Sequence, residues 1–226
     1  MVNLANELNN LSIGSILNAW YEANCPARHY LGLSSIGHPC LRWLWYAHKG
    51  FDQTAIEGQT LRLFELGNII ESALKKDLRL AGFTIADEQK EVDFTFNNIK
   101  LIGHIDGIIT SLLESNKPHL LEIKTANEKS FNELKKAGSY EKWQPKYKSQ
   151  IHAYMLGLGL DRCLVIVYNK NTSEIYSERI KLDKNWIINR LETVFCAIGY
   201  HDPPERLCPR ADWHEAKWCG FYGECF

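Results

Sequence analysis

The sequence predicts an α/β domain with a mixed β-sheet, and three observations lead to this class. Apolar residues recur at three-to-four spacing over residues 55–81, which predicts a long helix. Short stretches within 90–125 and 163–182 alternate between apolar and polar residues or are rich in β-branched residues, as strands are. A second helical pattern over 144–158 separates these two groups of strands. Helices placed between groups of strands favour a central sheet flanked by helices.

Local signals set the boundaries of the elements in the first half of the chain. Two asparagines at 97–98 tolerate the positive φ angles of a tight turn, and they join predicted strands at 90–96 and 99–109. A third strand is predicted at 120–125. Asn127 then opens a short helix, because its side chain can accept a hydrogen bond from the first turn.

The second half of the chain continues the alternation of helix and strand. The helix over 144–158 is followed by predicted strands at 163–169 and 174–182. Asp183 caps a final amphipathic helix that reaches about Ile198. The complete order is helix, three strands, helices, two strands and a helix.

Length and composition indicate one globular unit. The chain has 226 residues, of which 45% are hydrophobic and 23% are charged, and its formal net charge is −1. We divide the single domain into a helical N-terminal region at 1–54, a core at 55–200 and a cysteine-rich C-terminal segment at 201–226. A net charge close to zero gives no global attraction for polyanions, although it allows a local basic patch.

Neither a signal peptide nor a membrane span is predicted. The N-terminus lacks a basic start followed by an apolar run, and the longest apolar stretches fall far short of the roughly 20 residues that cross a bilayer. These patterns exclude the membrane and secreted classes and predict an intracellular, cytoplasmic protein. In that reducing compartment, the seven cysteines are expected to bind metal or to be buried rather than to form disulfides.

Charged residues in two neighbouring predicted strands carry the strongest chemical signal. Asp106 lies near the end of one strand and is followed by Gly107, while Glu122 and Lys124 lie two residues apart on the next. Because side chains alternate along a strand, Glu122 and Lys124 point to the same face, roughly 6–7 Å apart. A carboxylate and an ammonium on an otherwise apolar strand are costly to bury unless each has a partner. The alternative is that both lie on a solvated sheet face.

Two predicted helices add further polar side chains. Glu71 lies on the helix over 55–81. Gln150 and Tyr154 lie four residues apart, on one face of the helix over 144–158. Carboxylate oxygens suit Mg²⁺ or Mn²⁺ rather than zinc, which softer ligands hold.

Four short motifs follow one another along the chain: Gly67-x-x-x-Glu71, Gly103-x-x-Asp106-Gly107, Glu122-Ile123-Lys124 and Gln150-x-x-x-Tyr154. Together they resemble the PD-(D/E)XK nuclease superfamily, specifically its RecB-like branch, which includes the CRISPR adaptation nucleases and related phage exonucleases. The resemblance covers about residues 35–226, and its specificity comes from four motifs in register. Glu71 departs from the histidine of many RecB-like members and is more similar to the arrangement of phage λ exonuclease.

The resemblance implies a restriction-endonuclease-like core and a metal-dependent DNA exonuclease that acts on single-stranded DNA or DNA ends. It implies that Mg²⁺ or Mn²⁺ is held by Glu71, Asp106, Glu122 and the backbone carbonyl of Ile123. Such an ion polarises a phosphodiester oxygen and lowers the pKa of a bound water. Lys124 would orient that water or stabilise the developing charge, while Gln150 and Tyr154 would position the scissile strand and the nucleophile.

Basic residues near the predicted site favour a phosphate-bearing partner. Residues 117–150 contain eight lysines and four glutamates, a local excess of positive charge. Lys146 and Lys148 flank Tyr147, and Trp143 is close in sequence, so phosphate contact and base stacking could act together. The alternative for each lysine is an ordinary solvated helix face.

Three of the seven cysteines crowd the C-terminus, where there is little apolar periodicity. Cys208, Cys219 and Cys225 leave a tetrahedral site one ligand short, and Cys40 is the best fourth candidate. RecB-like iron–sulfur nucleases are similar in having one cysteine before the core and three after it, which implies a 4Fe–4S cluster. The ten-residue gap after Cys208 departs from their usual C-x2-C, and zinc is the alternative because it also accepts four thiolates. Of the others, Cys163 and Cys196 are predicted core residues, and Cys25 and His214 are reserve ligands.

Arg42 follows the first of these cysteines and is flanked by aromatic residues. Trp43, Trp45 and Tyr46 lie next to it in sequence. We expect this N-terminal arch to bind single-stranded DNA through stacking and phosphate contact. Core packing is the alternative for at least one of the tryptophans.

Two alternatives to an exonuclease stay open on the sequence. The first is a nonenzymatic nucleic-acid-binding or assembly protein that keeps the fold. Clustered carboxylates count against it, since binding a polyanion does not require them. The second is a structural domain stapled by zinc. DNA is the expected partner of the nuclease. Because the sequence given shows no helicase domain, we expect the protein either to act alone or to be recruited by separate recombination or replication proteins.

Overall fold

The computed structural model describes residues 12–25, 30–112 and 117–226. Its strands are β1 (Thr84–Ala86), β2 (Glu91–Phe96), β3 (Ile99–His104), β4 (Gly107–Thr110), β5 (His119–Ala126), β6 (Arg162–Asn169) and β7 (Ile175–Lys181). Five strands form a sheet in the order β1-β4-β5-β6-β7, and β2 and β3 form a separate hairpin. The β5–β6 pair is parallel, while the other neighbours in the large sheet are antiparallel. The predicted α/β class with a mixed sheet is confirmed.

Helices flank the sheet and make the long connection that a parallel strand pair requires. They are α1 (Ile13–Asn24), α2 (Leu41–Lys49), α3 (Gly58–Leu80), α4 (Glu128–Ala137), α5 (Tyr140–Trp143), α6 (Pro145–Leu158), α7 (Lys184–Gly199), α8 (His214–Lys217) and α9 (Tyr222–Cys225). Asn127 caps α4 as predicted, since its side chain accepts the N–H of Ser130, and Asp183 caps α7 in the same way. None of the helices in the described ranges is long and apolar enough to cross a membrane.

The single strand predicted at 99–109 is wrong, because two strands in different sheets replace it. The hairpin itself is as predicted, and the asparagines at 97–98 have φ angles of 48° and 62°. Ile105 still bonds to the hairpin, since its N–H donates to the carbonyl of Lys90 at 3.2 Å. From Gly107 onward the chain pairs with β5 in the large sheet. The sequence pattern also misses β1, whose three residues are too short to show an alternation.

The two faces of the large sheet bury separate apolar clusters. Leu121 and Ile123 of β5 pack with Leu74 of α3 on one face. Leu120 belongs to the larger cluster on the other face, which is covered by residues of α6 and α7. By alternation Glu122 shares the face of Leu120, and it has no exposed surface. The alternative of a solvated sheet face therefore does not apply to Glu122.

Long-range hydrogen bonds join segments that are far apart in sequence. Arg190 of α7 donates from Nε to the carbonyl of Ile36 and from Nη2 to the carbonyl of His38, each at 2.7 Å. The hydroxyl of Tyr46 on α2 donates to the carbonyl of Glu224 at 2.8 Å. The turn before α2 is therefore fixed to α7, and α2 is fixed to the C-terminal segment.

Gly37 lies where that turn meets the first turn of α6, and we predict that Gly37→Ala destabilises the fold. A Cβ at position 37 would lie 1.9 Å from the carbonyl oxygen of Lys146, so the backbone would have to shift. Overpacking of this kind costs about 1–3 kcal/mol. Urea unfolding measures the change in the free energy of unfolding. Gly223→Ala is the matched control, because a Cβ there meets nothing within 4 Å, and equal stability of the two variants would contradict the contact.

Candidate active site

Asp106 lies in the short segment where the chain leaves the β2–β3 hairpin for β4. Its Oδ2 accepts the backbone N–H of Ile123 on β5 at 2.7 Å. Burial and, after it, the negative charge of Glu122 raise the pKa of Asp106 to about 7, against the opposing charge of Lys124. The fold therefore brings Asp106 directly against the middle of the Glu122-Ile123-Lys124 motif.

The carboxylate of Glu122 is the most deeply buried charge of this site. Its side chain has no exposed surface, and its Oε1 lies 2.5 Å from the Nζ of Lys124. Its other oxygen, Oε2, is buried and has no hydrogen-bond partner among the described residues. A buried carboxylate oxygen without a partner is costly, so Oε2 is a group that a cation could satisfy.

Lys124 supplies the positive charge next to Glu122. Burial by itself would lower the pKa of Lys124, but the carboxylates of Glu122 and Asp106 outweigh that effect and hold the pKa above its ordinary value. Its side chain is 25% exposed, unlike that of Glu122. The amine is therefore charged and anchored at the carboxylate, on a side chain that is partly exposed.

Tyr154 and Gln150 lie on α6 over the same face of the sheet. Burial and the charge of Glu122 raise the pKa of Tyr154, whose side chain is hydrogen-bonded to Gln150. Gly103 leaves room for this tyrosine, because a Cβ there would lie 2.5 Å from the Tyr154 hydroxyl. Three of the four predicted motifs thus converge on the surroundings of Glu122.

Glu71, from the remaining motif, is held by a buried lysine on its own helix. The Nζ of Lys75 lies 2.6 Å from Oε1 of Glu71 and 3.4 Å from Oε2 of Glu88. The charge of Glu71 still contributes to the raised pKa of Asp106, so Glu71 lies at the edge of the site. No sequence motif identifies Lys75, although its spacing of four residues from Glu71 is that of a helical ion pair.

The described residues contain no preformed group of metal-binding side chains. No three His, Cys, Asp or Glu side chains in the described part of the chain are grouped closely enough to hold a metal ion. The acids lie near one another but have separate partners: Glu122 has Lys124, Glu71 has Lys75, and Asp106 has the N–H of Ile123. The assignment of Glu71, Asp106, Glu122 and Ile123 as metal ligands stays a prediction.

Two tyrosines that no motif identified line the site. Tyr140 on α5 is fully buried, and its hydroxyl has no hydrogen-bond partner among the described residues. Burial and the charge of Glu122 raise the pKa of Tyr140. The ring centroid of Tyr147 lies 5.4 Å from Nζ of Lys124 and 6.0 Å from the ring of Tyr140. Packing of α5 and α6 on β5 creates these contacts, and sequence spacing does not reveal them.

The two lysines predicted to bind nucleic acid have different surroundings. Lys146 is exposed, and its Nζ lies 5.0 Å from the ring centroid of Tyr147. Lys148 turns toward α7, where its Nζ lies 4.3 Å from the ring of Trp186, and it is also 3.9 Å from Oε1 of Glu141. Lys146 is therefore the one of these two that adjoins the site, and a nucleic-acid contact of either stays a prediction.

The aromatic residues around Arg42 are largely part of the core. Trp45 and Tyr46 are 7% and 5% exposed, so the core-packing alternative applies to both. Trp43 is half-buried and stacks on His38, with ring centroids 4.4 Å apart. The guanidinium of Arg42 lies 5.8 Å from the ring centroid of Tyr46. The proposed binding of single-stranded DNA by Arg42 stays a prediction.

The four predicted ligand cysteines lie in one neighbourhood. The pKa of Cys208 is raised by burial and then by the nearby charges of Cys40, Cys219 and Cys225, among other groups. Cys40 also caps α2, since its Sγ accepts the N–H of Trp43 at 3.4 Å. The fold therefore brings the N-terminal cysteine near the C-terminal three, but no three of these cysteines are grouped closely enough in the described part of the chain to hold a metal ion, so the cluster and its ligands stay a prediction.

Of the two cysteines predicted to lie in the core, one is buried and the other is exposed. Cys163 is buried in the larger core, as predicted. Cys196 is exposed, so its prediction as a core residue is wrong: it lies on the outward face of α7, between the buried Phe195 and Ala197. A helical pattern fixes which face is apolar only to within about one position.

Lys124→Met is expected to lower the free energy of unfolding by about 3 kcal/mol, because it leaves the buried carboxylate of Glu122 without its cation. The double variant Glu122→Gln/Lys124→Met should regain most of this loss, since neither position then carries a buried charge. Urea unfolding of the four proteins gives the coupling energy. As a control, Lys135→Met breaks an exposed ion pair with Glu174 and should cost less than about 1 kcal/mol. Simple additivity in the Glu122–Lys124 cycle would contradict the pairing.

Comparison with known proteins gives a structural likeness and no sequence-level match. No protein-family model matches the sequence, and no curated protein matches it. The solved structure of SSO0001 is similar over 95% of this chain and 96% of that chain, with 17% identity and a TM-score of 0.52.

An alkaline exonuclease, LHK-Exo from Laribacter hongkongensis, is similar over 79% of this chain and 89% of that chain, with 18% identity and a TM-score of 0.50. The same exonuclease in complex with dAMP aligns with 17% identity and a TM-score of 0.47. At such identities the likeness is one of fold. The chain has the mixed sheet flanked by helices that a restriction-endonuclease-like fold contains, as the resemblance implied.

Proposed function

We propose that this protein is a Mg²⁺- or Mn²⁺-dependent deoxyribonuclease of the PD-(D/E)XK type, an exonuclease that acts on single-stranded DNA or DNA ends. The observation that carries the proposal is the fully buried Glu122 carboxylate, whose Oε1 is ion-paired with Lys124 and whose Oε2 has no hydrogen-bond partner among the described residues. Asp106 lies against the same strand. The shared fold with an alkaline exonuclease supports the same class of reaction.

The donor set suits a hard divalent cation. Glu122 offers its Oε2, which has no hydrogen-bond partner among the described residues, and the pKa of Asp106 is raised to about 7 by burial and then by the charges of Glu122 and Glu71, whose repulsion a cation would relieve. The carbonyl of Ile123 and the carboxylate of Glu71 would complete the set, all through oxygen atoms. When bound, the ion polarises the scissile phosphate and lowers the pKa of a bound water.

The chain's own residues divide the remaining tasks. Lys124, charged and partly exposed, would stabilise negative charge that develops on the phosphate or orient the attacking water. The hydrogen-bonded pair of Gln150 and Tyr154 would position the strand over the site. Lys146, next to Tyr147, and Arg42, on α2, would contact phosphates farther along the DNA.

The C-terminal segment is proposed to hold a 4Fe–4S cluster, with zinc as the alternative metal. The donors are the thiols of Cys40, Cys208, Cys219 and Cys225; burial and, after it, the nearby charges of the other three raise the pKa of Cys208. Four thiolates suit either group. A link between residues 40 and 208 closes a loop of 168 residues (208 − 40), which on the loop-entropy model is worth roughly 5 kcal/mol. Its role would be to staple α2 and the C-terminus together.

We place this activity in the cytoplasm, on DNA that separate recombination or replication proteins present. A nonenzymatic nucleic-acid-binding protein is the second candidate, and one observation favours it. Glu71 is bonded to Lys75, and no group of three metal-binding side chains is assembled within the described residues. The cleavage assay below separates these two candidates.

Asp106→Ala and Lys124→Ala are each predicted to reduce DNA degradation by at least about a hundredfold, because the first removes a proposed ligand of the cation and the second removes positive charge at the reacting phosphate. Protein purified without oxygen is incubated with end-labelled single- and double-stranded DNA and Mg²⁺, Mn²⁺ or EDTA. Asp93→Ala on the exposed hairpin is the matched control and should retain wild-type rates. Thermal melting verifies that each variant is folded. Activity that persists in Asp106→Ala, or wild-type protein that binds DNA without degrading it, would contradict the proposal.

Cys208→Ser is predicted to lower both the iron content and the melting temperature of the anaerobically purified protein, because it removes one thiolate of the staple. Elemental analysis and the visible absorption of an iron–sulfur cluster are the measurements. Cys196→Ser, an exposed cysteine outside the group of four, is the control and should leave both unchanged. Zinc in place of iron would favour the alternative metal, and the absence of both metals would rule out the staple.

A further inference from the structure

One aromatic ring contacts two lysines of the candidate site, the partly exposed Lys124 and the exposed Lys146. The ring centroid of Tyr147, in the first turn of α6, lies 5.4 Å from Nζ of Lys124 and 5.0 Å from Nζ of Lys146. Both distances are within the range of a cation–π contact. Lys124 is also paired with Glu122, so its ammonium lies between a carboxylate and an aromatic ring.

The ring of Tyr147 is held in place by its own neighbours. It stacks on Tyr140, with ring centroids 6.0 Å apart and an interplanar angle of 18°. Tyr140 is fully buried, and its backbone N–H donates to Oε2 of Glu178 at 2.6 Å. The backbone N–H of Tyr147 donates to the carbonyl of Gln144 at 2.9 Å. The ring is therefore a fixed surface against which the flexible side chain of Lys124 rests.

An aromatic ring suits this position for an electrostatic reason. A further carboxylate in the place of this ring, added to those of Glu122 and Asp106, would offset more of the positive charge of the ammonium and would repel the phosphate of a substrate. The face of a ring attracts an ammonium through its quadrupole and carries no net charge. Lys124 can therefore be oriented while its positive charge stays available to a phosphate.

We propose that Tyr147 is a positioning residue for Lys124, acting through its ring rather than its hydroxyl. The inference rests on the proposed nuclease function and assigns separate roles to the two lysines on the ring. Lys124, oriented by Tyr147, serves the phosphate that is cleaved. Lys146, exposed on the same ring, serves the binding of an adjacent phosphate.

The kinetic test compares Tyr147→Leu, Tyr147→Phe and Lys146→Ala on end-labelled DNA. Tyr147→Leu should lower kcat by about tenfold with little change in KM, because Lys124 loses its orientation only at the reacting phosphate. Tyr147→Phe keeps the ring and should recover most of that kcat. Lys146→Ala should raise KM and spare kcat. Tyr200→Leu, an exposed tyrosine away from the site, is the control for the loss of a tyrosine.

A second measurement does not depend on cleavage. Reductive methylation followed by mass spectrometry reports how accessible each lysine amine is, with exposed Lys129 as an internal reference. Tyr147→Leu should increase labelling of Lys124 relative to Lys129 by about threefold or more, and Tyr147→Phe should not. Thermal melting verifies that the variants are folded.

Three results would overturn the proposal. Unchanged labelling of Lys124 in Tyr147→Leu would mean that the ring does not hold the amine. A rise in KM with kcat retained would mean that Tyr147 stacks on the substrate instead. Equal losses in Tyr147→Leu and Tyr147→Phe would assign the effect to the hydroxyl. A wild-type protein that degrades no DNA would refute the nuclease function, whereas the labelling result would still decide whether Tyr147 orients Lys124.

Discussion

The cost of burying the carboxylate of Glu122 is the constraint that determines which groups can surround it in the candidate site. A charge with no exposed surface in the middle of an apolar strand is costly, and it is tolerated here because Lys124 lies 2.5 Å away on the same strand. Three tyrosines and a glutamine surround this ion pair. They come from α5 and α6 and are Tyr140, Tyr147, Gln150 and Tyr154. The helices that pack on β5 therefore also line the candidate site.

The position of Asp106 follows from an interruption in the β-ladder. Pairing between β4 and β5 ends at Gly107 opposite Leu121. Two residues farther along β5, the N–H of Ile123 bonds to the carboxylate of Asp106 instead of to a strand carbonyl. The chain can reach this point because it leaves the β2–β3 hairpin at Ile105. Because the chain changes sheets here, the N–H of Ile123 has the carboxylate of Asp106 as its acceptor in place of a backbone carbonyl.

The sequence predicts the features that depend on local pattern and misses those that depend on packing. Alternation from Leu120 to Lys124 correctly places Glu122 on one face, and the asparagines at 97–98 correctly form the hairpin turn. Sequence spacing cannot show that the segment 99–109 passes from the hairpin to the large sheet, because its apolar pattern continues across the gap between β3 and β4. Nor can it show that Tyr147 rests on Lys124, since a contact between residues 23 positions apart (147 − 124) depends on how α6 docks on β5.

Each acid of the site has a partner of its own, and this allows the three carboxyl groups to lie close to one another. Lys124 serves Glu122, Lys75 serves Glu71, and a backbone N–H serves Asp106, whose pKa is nevertheless raised to about 7 by burial and by the other two carboxylates. Three acids with two lysines leave one acid without a balancing cation, and Asp106 is that acid. A divalent cation would be drawn to the side of Asp106 and the free Oε2 of Glu122, because the repulsion that raises the pKa of Asp106 becomes attraction toward the ion. Glu71 would bind the cation only by sharing its carboxylate with Lys75, so it would contribute least to cation binding among the four proposed ligands.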